Sequence, residues 1–197
     1  MTGGSDRPGG GFKGSLLVLS GPSGVGKTTV ARKLAEVPGI VRIMTATTRP
    51  PRPREVDGRD YRFLGRREFE AAAARGEFLE YAEIGGSLYG TPRAAIEREL
   101  AGGRLVLVDI DVQGARSVRA AGLPAFYVFV EPPSLEELRR RLEGRRSEGP
   151  EAVERRLERA AREMAQKNLY DVVVVNRTVE GTVAEIMAEI RKRKLLT

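Results

Sequence analysis

The stretch Gly21-Pro22-Ser23-Gly24-Val25-Gly26-Lys27-Thr28 constrains this chain more than any other. It fits G-x-x-x-x-G-K-[ST] at every fixed position. Its setting fits as well. Leu16 to Leu19 is a short apolar run ending in Ser20, the pattern of a buried strand, and Thr28 to Glu36 carries Val30, Ala31 and Leu34 on one helical face. In a strand, glycine loop and helix of this kind, backbone N–H groups point inward around a phosphate, and the helix adds its positive N-terminal end. Lys27 would reach the β- and γ-phosphates, and the Thr28 hydroxyl would hold Mg²⁺. The bare alternative, a glycine-rich turn before a helix, does not explain the Lys-Thr pair. The motif implies binding of a nucleoside triphosphate.

Composition narrows the chemistry. The chain of 197 residues has no Cys and no His, which excludes disulfides, thiolate or imidazole catalysis and Cys/His zinc sites. Chemistry must run on Lys, Arg, carboxylates, hydroxyls, backbone and a hard cation. The formal charge of +7 invites a nucleic-acid reading. The basic residues are scattered, however, and often sit beside Glu, as in Glu136-Glu137-Leu138-Arg139-Arg140-Arg141, a run typical of a solvated helix face. No aromatic-rich basic motif accompanies them, so no nucleic-acid partner is expected. No apolar run reaches the ~18–20 residues of a membrane span. Residues 1–13 read as a flexible, Gly-rich tail without a secretory signal, and the expected location is cytoplasmic.

With 41% apolar residues the chain can bury a sizeable core, and strands alternating with helices predict an α/β fold, a parallel sheet wrapped by helices. A second strand is expected over Ile40 to Met44. Thr45 to Phe63 contains three prolines and reads as loop. Arg49, Arg52, Arg54 and Arg59 cluster there with Tyr61, an inventory suited to a second phosphate, although a solvated basic loop has the same composition. A helix over Arg67 to Arg75 and a strand over Phe78 to Ile84 follow, with Glu80 on the strand. Tyr89-Gly90-Thr91-Pro92 is expected to lead into a helix from Arg93 to Ala101. Leu105 to Val108 is an apolar strand delivering Asp109-Ile110-Asp111 at its end, where a P-loop protein needs its Mg²⁺ partner. Ser134 to Glu137 reads as a capping box, Glu143 to Pro150 as a polar lid, and Glu151 to Asn168 as a helix. Its Val153, Leu157, Ala160, Ala161 and Met164 form an apolar stripe that reads as core. A last strand over Val172 to Val175 and a helix over Thr182 to Lys192 close the chain, with no internal repeat.

These pieces together resemble the guanylate kinases, which transfer the γ-phosphoryl group of ATP to GMP. The likeness rests on Gly-Pro-Ser-Gly-Val-Gly-Lys-Thr, on Thr-Thr-Arg-Pro-Pro-Arg with the following Glu-Val-Asp-Gly-Arg-Asp-Tyr-Arg-Phe, on Tyr-Gly-Thr and on Asp-Ile-Asp-Val-Gln-Gly. It runs from about Gly14 to the C-terminus. The resemblance implies one domain over residues 14–197: a P-loop core (14–44, 98–138 and 157–197), an inserted mixed α/β GMP-binding region (45–97) and a small helical lid (139–156). It implies that Gly21 through Thr28, with Thr29, bind ATP. Arg49, Arg52, Tyr61 and Tyr89 match the positions that hold the GMP phosphate, Glu80 the carboxylate that accepts from guanine N1–H and N2–H₂, and Thr45 and Thr91 the hydroxyl contacts to guanine. Asp111 also matches a GMP contact, and Asp109, with Thr28, supports Mg²⁺. Arg141, Arg145 and Arg156 match lid arginines that act with Lys27 on the transferring group. The implied reaction converts ATP and GMP, and dGMP as a further acceptor, to ADP and GDP in purine nucleotide metabolism. One departure is visible: the family usually has Gly where this chain has Arg54, so the turn of the arginine loop is expected to differ locally.

Such a reaction suits a chain without His or Cys. The attacking phosphate oxygen is already ionised, and the difficulty lies in bringing two polyanions together. The GMP region and lid are expected to close over both substrates and exclude water. Three rivals stand beside this reading. An inactive guanylate-kinase-like binding module would typically lack an intact P-loop. A kinase for another nucleoside monophosphate is opposed by Glu80 with Tyr89-Gly90-Thr91. A basic nucleic-acid-binding protein would reveal itself by salt-dependent binding. Oligomeric state is not legible.

Overall fold

The computed structural model describes residues 13–53, 55–144 and 149–196. Its first half runs β1 (Ser15–Ser20), α1 (Lys27–Leu34), β2 (Ile40–Arg42), β3 (Ala46–Thr47), β4 (Arg62–Phe63), α2 (Arg66–Ala74), β5 (Phe78–Ile84) and β6 (Ser87–Pro92). There follow α3 (Arg93–Ala101), β7 (Leu105–Asp109), α4 (Val112–Ala120), β8 (Ala125–Glu131) and α5 (Leu135–Glu143). The chain ends with α6 (Pro150–Met164), a 3₁₀ turn (Lys167–Leu169), β9 (Val172–Val175) and α7 (Val179–Lys192).

The apolar run of β1 lies at the centre of a five-stranded parallel sheet of order β2-β7-β1-β8-β9. Both faces of β1 are covered, which is why the run is continuous rather than alternating. Leu17 and Leu19 pack with Val30, Leu34, Ile186 and Ile190 on one side. Leu16 and Val18 pack with Ile96, Leu100 and Val118 on the other. The carboxyl ends of β1 and β7 therefore deliver the glycine loop and Asp109 to one edge, the usual location for a ligand in an open α/β sheet.

A second, mixed sheet of order β4-β3-β6-β5 stands above that edge. Its β3 and β4 pair in parallel while β6 runs antiparallel to both β3 and β5. Phe69 of α2 stacks on Phe78 beneath it, ring centroids 4.4 Å apart. The segment read as loop thus keeps two short strands at its ends, because Thr45 O and Thr47 O accept from Arg62 N–H and Leu64 N–H and draw the two ends together. Tyr89 to Pro92 leads into α3 as expected, and it is also part of the second strand of a hairpin turned by Gly85 and Gly86. Pro92 then caps α3 directly.

Other boundaries shift for local reasons. The second strand stops at Arg42, and α6 stops at Met164 before the 3₁₀ turn. Helix α7 starts three residues earlier than its apolar pattern indicates, because the Thr178 hydroxyl accepts from Gly181 N–H at 3.2 Å and caps it. The Ser134 cap of α5 appears as read, accepting from Glu137 N–H. Helices α5 and α6 pack through Leu138, Leu142, Val153, Leu157 and Ala160. Ala161 is exposed instead of buried, since one further residue turns 100° away from Ala160, and Glu163 takes the buried position that faces the cleft.

Candidate active site

A cleft opens between the glycine loop, the mixed sheet and α6. Gly21, Ser23, Gly24, Gly26, Lys27, Thr28 and Thr29 form its lower wall, whereas Pro22 and Val25 point into the protein. The backbone at Gly26 has φ 101, and a Cβ there would lie 2.7 Å from Asn176 Nδ2. Only glycine meets both demands, and α1 then starts with its free N–H groups toward the cleft. Lys27 Nζ donates to the carbonyls of Gly21 at 2.6 Å and Pro22 at 3.1 Å. Desolvation lowers its pKa, against the fields of Glu163, Asp109 and Asp111.

The Thr28 hydroxyl donates to Asp109 Oδ2 at 3.2 Å. Asp109 Oδ1 accepts from Arg42 Nε at 3.0 Å, and both side chains are largely buried. Sequence reasoning did not find Arg42, because a lone arginine on an edge strand carries no motif. The Thr28 and Asp109 oxygens suit a hard cation such as Mg²⁺, which prefers one or two protein oxygens plus phosphates to an all-protein cage. No group of three or more acidic side chains placed to hold a metal ion gathers among the described residues.

On the opposite wall stand Thr45, Arg49, Arg52, Tyr61, Glu80 and Tyr89. Arg49 donates both ways: its Nη2 bonds Glu55 at 2.8 and 3.0 Å, and its Nε bonds the Tyr89 hydroxyl at 3.3 Å. Glu55 also accepts from Arg52 N–H at 2.8 Å, which makes it the brace of the arginine loop. Burial, with the field of Asp109, raises the Tyr61 pKa and keeps its hydroxyl a donor. Asp60 ties this loop to the core by accepting from Arg32 of α1. Arg54 and its local turn lie outside the described residues.

Glu80 is buried at 7% exposure. Desolvation, with the field of Asp111, pushes its pKa up to about 7 against the bond donated by the Thr91 hydroxyl. Thr91 is itself buried behind Glu80 and does not line the cleft. Gly114 explains how the carboxylate fits, since a Cβ there would lie 2.6 Å from Glu80 Oε2. Gly114→Ala should therefore displace Glu80 and lower kcat/KM for GMP by about 10²-fold, as an ångström-scale misplacement does. Unchanged steady-state kinetics with GMP would contradict it.

Helix α6 forms the third wall. Arg156 donates to Ser23 Oγ at 2.7 Å, and Arg159 bonds Asp111 at 2.9 Å and Glu163 at 2.7 Å. Arg159 and Glu163 were missed, although a helical spacing of three and then four residues from Arg156 puts all three toward one face. Arg141 lies elsewhere. It bonds Val25 O at 3.2 Å and Asn176 O at 3.0 Å, and lines a shallow groove on the far side of the glycine loop. Arg145 lies outside the described residues. Among those described, no helix is long and apolar enough to cross a membrane.

The chain is similar to known proteins over nearly its whole length. The guanylate kinase family model matches residues 13–193. A guanylate kinase of Thermus thermophilus is 49% identical over 178 residues, 90% of this chain and 80% of that protein. That of Symbiobacterium thermophilum is 50% identical over 94% of this chain and 88% of its own. A crystal structure of guanylate kinase from Anaplasma phagocytophilum superposes with a TM-score of 0.78 at 37% identity, covering 93% of this chain and 88% of that one.

Proposed function

The chain belongs to the guanylate kinase family and phosphorylates GMP with ATP, and from that premise we propose how its residues divide the work. The glycine loop from Gly21 to Thr29 takes the ATP phosphates. The arginine loop takes the GMP phosphate through Arg49, Arg52, Tyr61 and Tyr89, while Glu80, Asp111 and Thr45 take the guanine side. Thr91 contributes by donating to Glu80 rather than by lining the cleft. One observation carries this reading: Lys27 and Glu80 open onto the same cleft, so two ligands can meet in it.

A phosphate oxygen of GMP attacks the γ-phosphorus as the bond to ADP breaks. No base is needed, because that oxygen is already ionised. Lys27 exchanges its carbonyl partners for phosphate oxygens and follows the transferring charge, and Arg156 adds a second cation from α6. Thr28 and Asp109 would hold Mg²⁺, which when bound neutralises phosphate charge. Arg141, facing the groove beyond the loop, acts on the part of ATP remote from the transferring group. The 45–97 and 139–156 segments act as the GMP-binding region and lid around the core. The inactive-module alternative finds no support among these relatives.

An assay of ADP release with Mg²⁺-ATP and GMP, AMP, CMP or UMP tests the acceptor assignment. Turnover is expected with GMP and not with the other three. Comparable rates with AMP would overturn it.

A further inference from the structure

Arg159 belongs to none of the motifs that identify the chain, yet it bonds directly to the acceptor half of the cleft. Its guanidinium spans two carboxylates, Asp111 Oδ2 at 2.9 Å and Glu163 Oε1 at 2.7 Å. The other oxygen of Asp111 accepts from Gly114 N–H at 2.8 Å and caps α4. Both oxygens of Asp111 are therefore held, and the carboxylate has one orientation. That orientation matters because Asp111 lines the cleft beside Glu80, close enough for its charge to act on it. Three residues earlier on α6, Arg156 donates to the glycine loop. One helix thus sends an arginine to each half of the cleft.

Resting on the reading that the acceptor half takes GMP, we propose that Arg159 is a positioning residue for GMP, acting from α6 by holding the Asp111 carboxylate in the orientation the nucleotide meets. Arg suits the task because its planar fork bonds two carboxylates at once, which a Lys ammonium at the end of a flexible stem does not reproduce. With Arg42 on Asp109, the arrangement also gives each of the three carboxylates that act on Lys27 a guanidinium partner. Charge-assisted bonds of this kind correspond to about a 10- to 100-fold change in affinity.

The test is a double-mutant cycle read by calorimetric titration of GMP, with ATP titrated in parallel. Arg159→Ala should weaken GMP by about 10- to 100-fold and ATP far less. In an Asp111→Asn background, which retains the α4 cap, the same change should have little further effect on GMP. Loss of the Glu163 contact is common to both backgrounds, so a merely structural role would weaken GMP equally in each and overturn the proposal. Arg159→Lys, which preserves charge, should recover only part of the affinity. Wild-type affinity for GMP in Arg159→Ala would also overturn it. Failure of the unaltered protein to bind GMP would instead overturn the acceptor assignment on which the proposal rests.

Discussion

Lys27→Met should lower kcat by about 10³-fold or more while leaving the fold intact. Removing one preorganised cation or donor from the site of developing charge costs about 10²–10³ in kcat, and phosphoryl-transfer arginines reach 10³–10⁵. The local charge balance argues for the upper part of that range. Asp109, Asp111 and Glu163 all act on the Lys27 ammonium, and removing it leaves their three charges offset only by Arg42 and Arg159 as a polyphosphate enters. KM for ATP should therefore rise together with the fall in kcat. The carbonyls of Gly21 and Pro22, which Lys27 now bonds, are left in an open cleft where water can replace it. Thermal melting should accordingly shift little. Steady-state kinetics across ATP concentrations decide the matter: a variant within tenfold of the parent in kcat would remove Lys27 from the transfer step.

The parts of this molecule legible from residues alone are those in which one short stretch determines its own geometry. The glycine loop is the clearest case, since its positive-φ residues Gly21, Gly24 and Gly26 and Lys27 all lie in one short stretch. Asp109 was readable because a buried parallel strand ends where a ligand binds. Glu80 was readable only through the resemblance, since an isolated carboxylate on a strand is ordinarily solvated. What escaped is held across the chain. Gly114 is constrained by Glu80, 34 positions away, through a contact no local pattern encodes. Arg42 is determined by Asp109 across the β2–β7 pairing. Tyr89 to Pro92 was read correctly as the approach to α3, but its strand character escaped, because that is decided by the antiparallel partner Phe78 to Ile84. The stripe of α6 was read correctly at Val153, Leu157 and Ala160. It failed at Glu163, where the cleft and not the core is what the helix covers.

Glu80→Gln should separate recognition of guanine from everything else the protein does. Guanine presents donors at N1 and N2, and an ionised carboxylate accepts both. A glutamine amide accepts one and opposes the other with its own N–H₂. The expected loss in kcat/KM for GMP is about 10²–10⁴-fold, the range for removing one side of a buried charged hydrogen-bond pair. KM for ATP should change little, because the donor half is built on α1 and the glycine loop. The burial that makes Glu80 selective also makes it costly. Its pKa rises from 4.5 to about 7, mainly by desolvation. Below pH about 4.5 the carboxyl is neutral in both folded and unfolded chains and carries no penalty. As pH rises toward about 7 the unfolded chain releases its proton while the folded one retains it, so stability falls, and above about 7 the whole cost of about 3 kcal/mol is present. The glutamine variant never ionises. It should match the parent in acid and melt at higher temperature at pH 8, with the Thr91 hydroxyl still donating to position 80. Catalysis should show the opposite trend: kcat/KM for GMP in the parent should fall below pH about 7 as Glu80 takes up its proton, and this limb should be absent in the variant. A variant that loses GMP turnover and also loses stability at pH 8 would mean that Glu80 holds the mixed sheet together instead of reading the base.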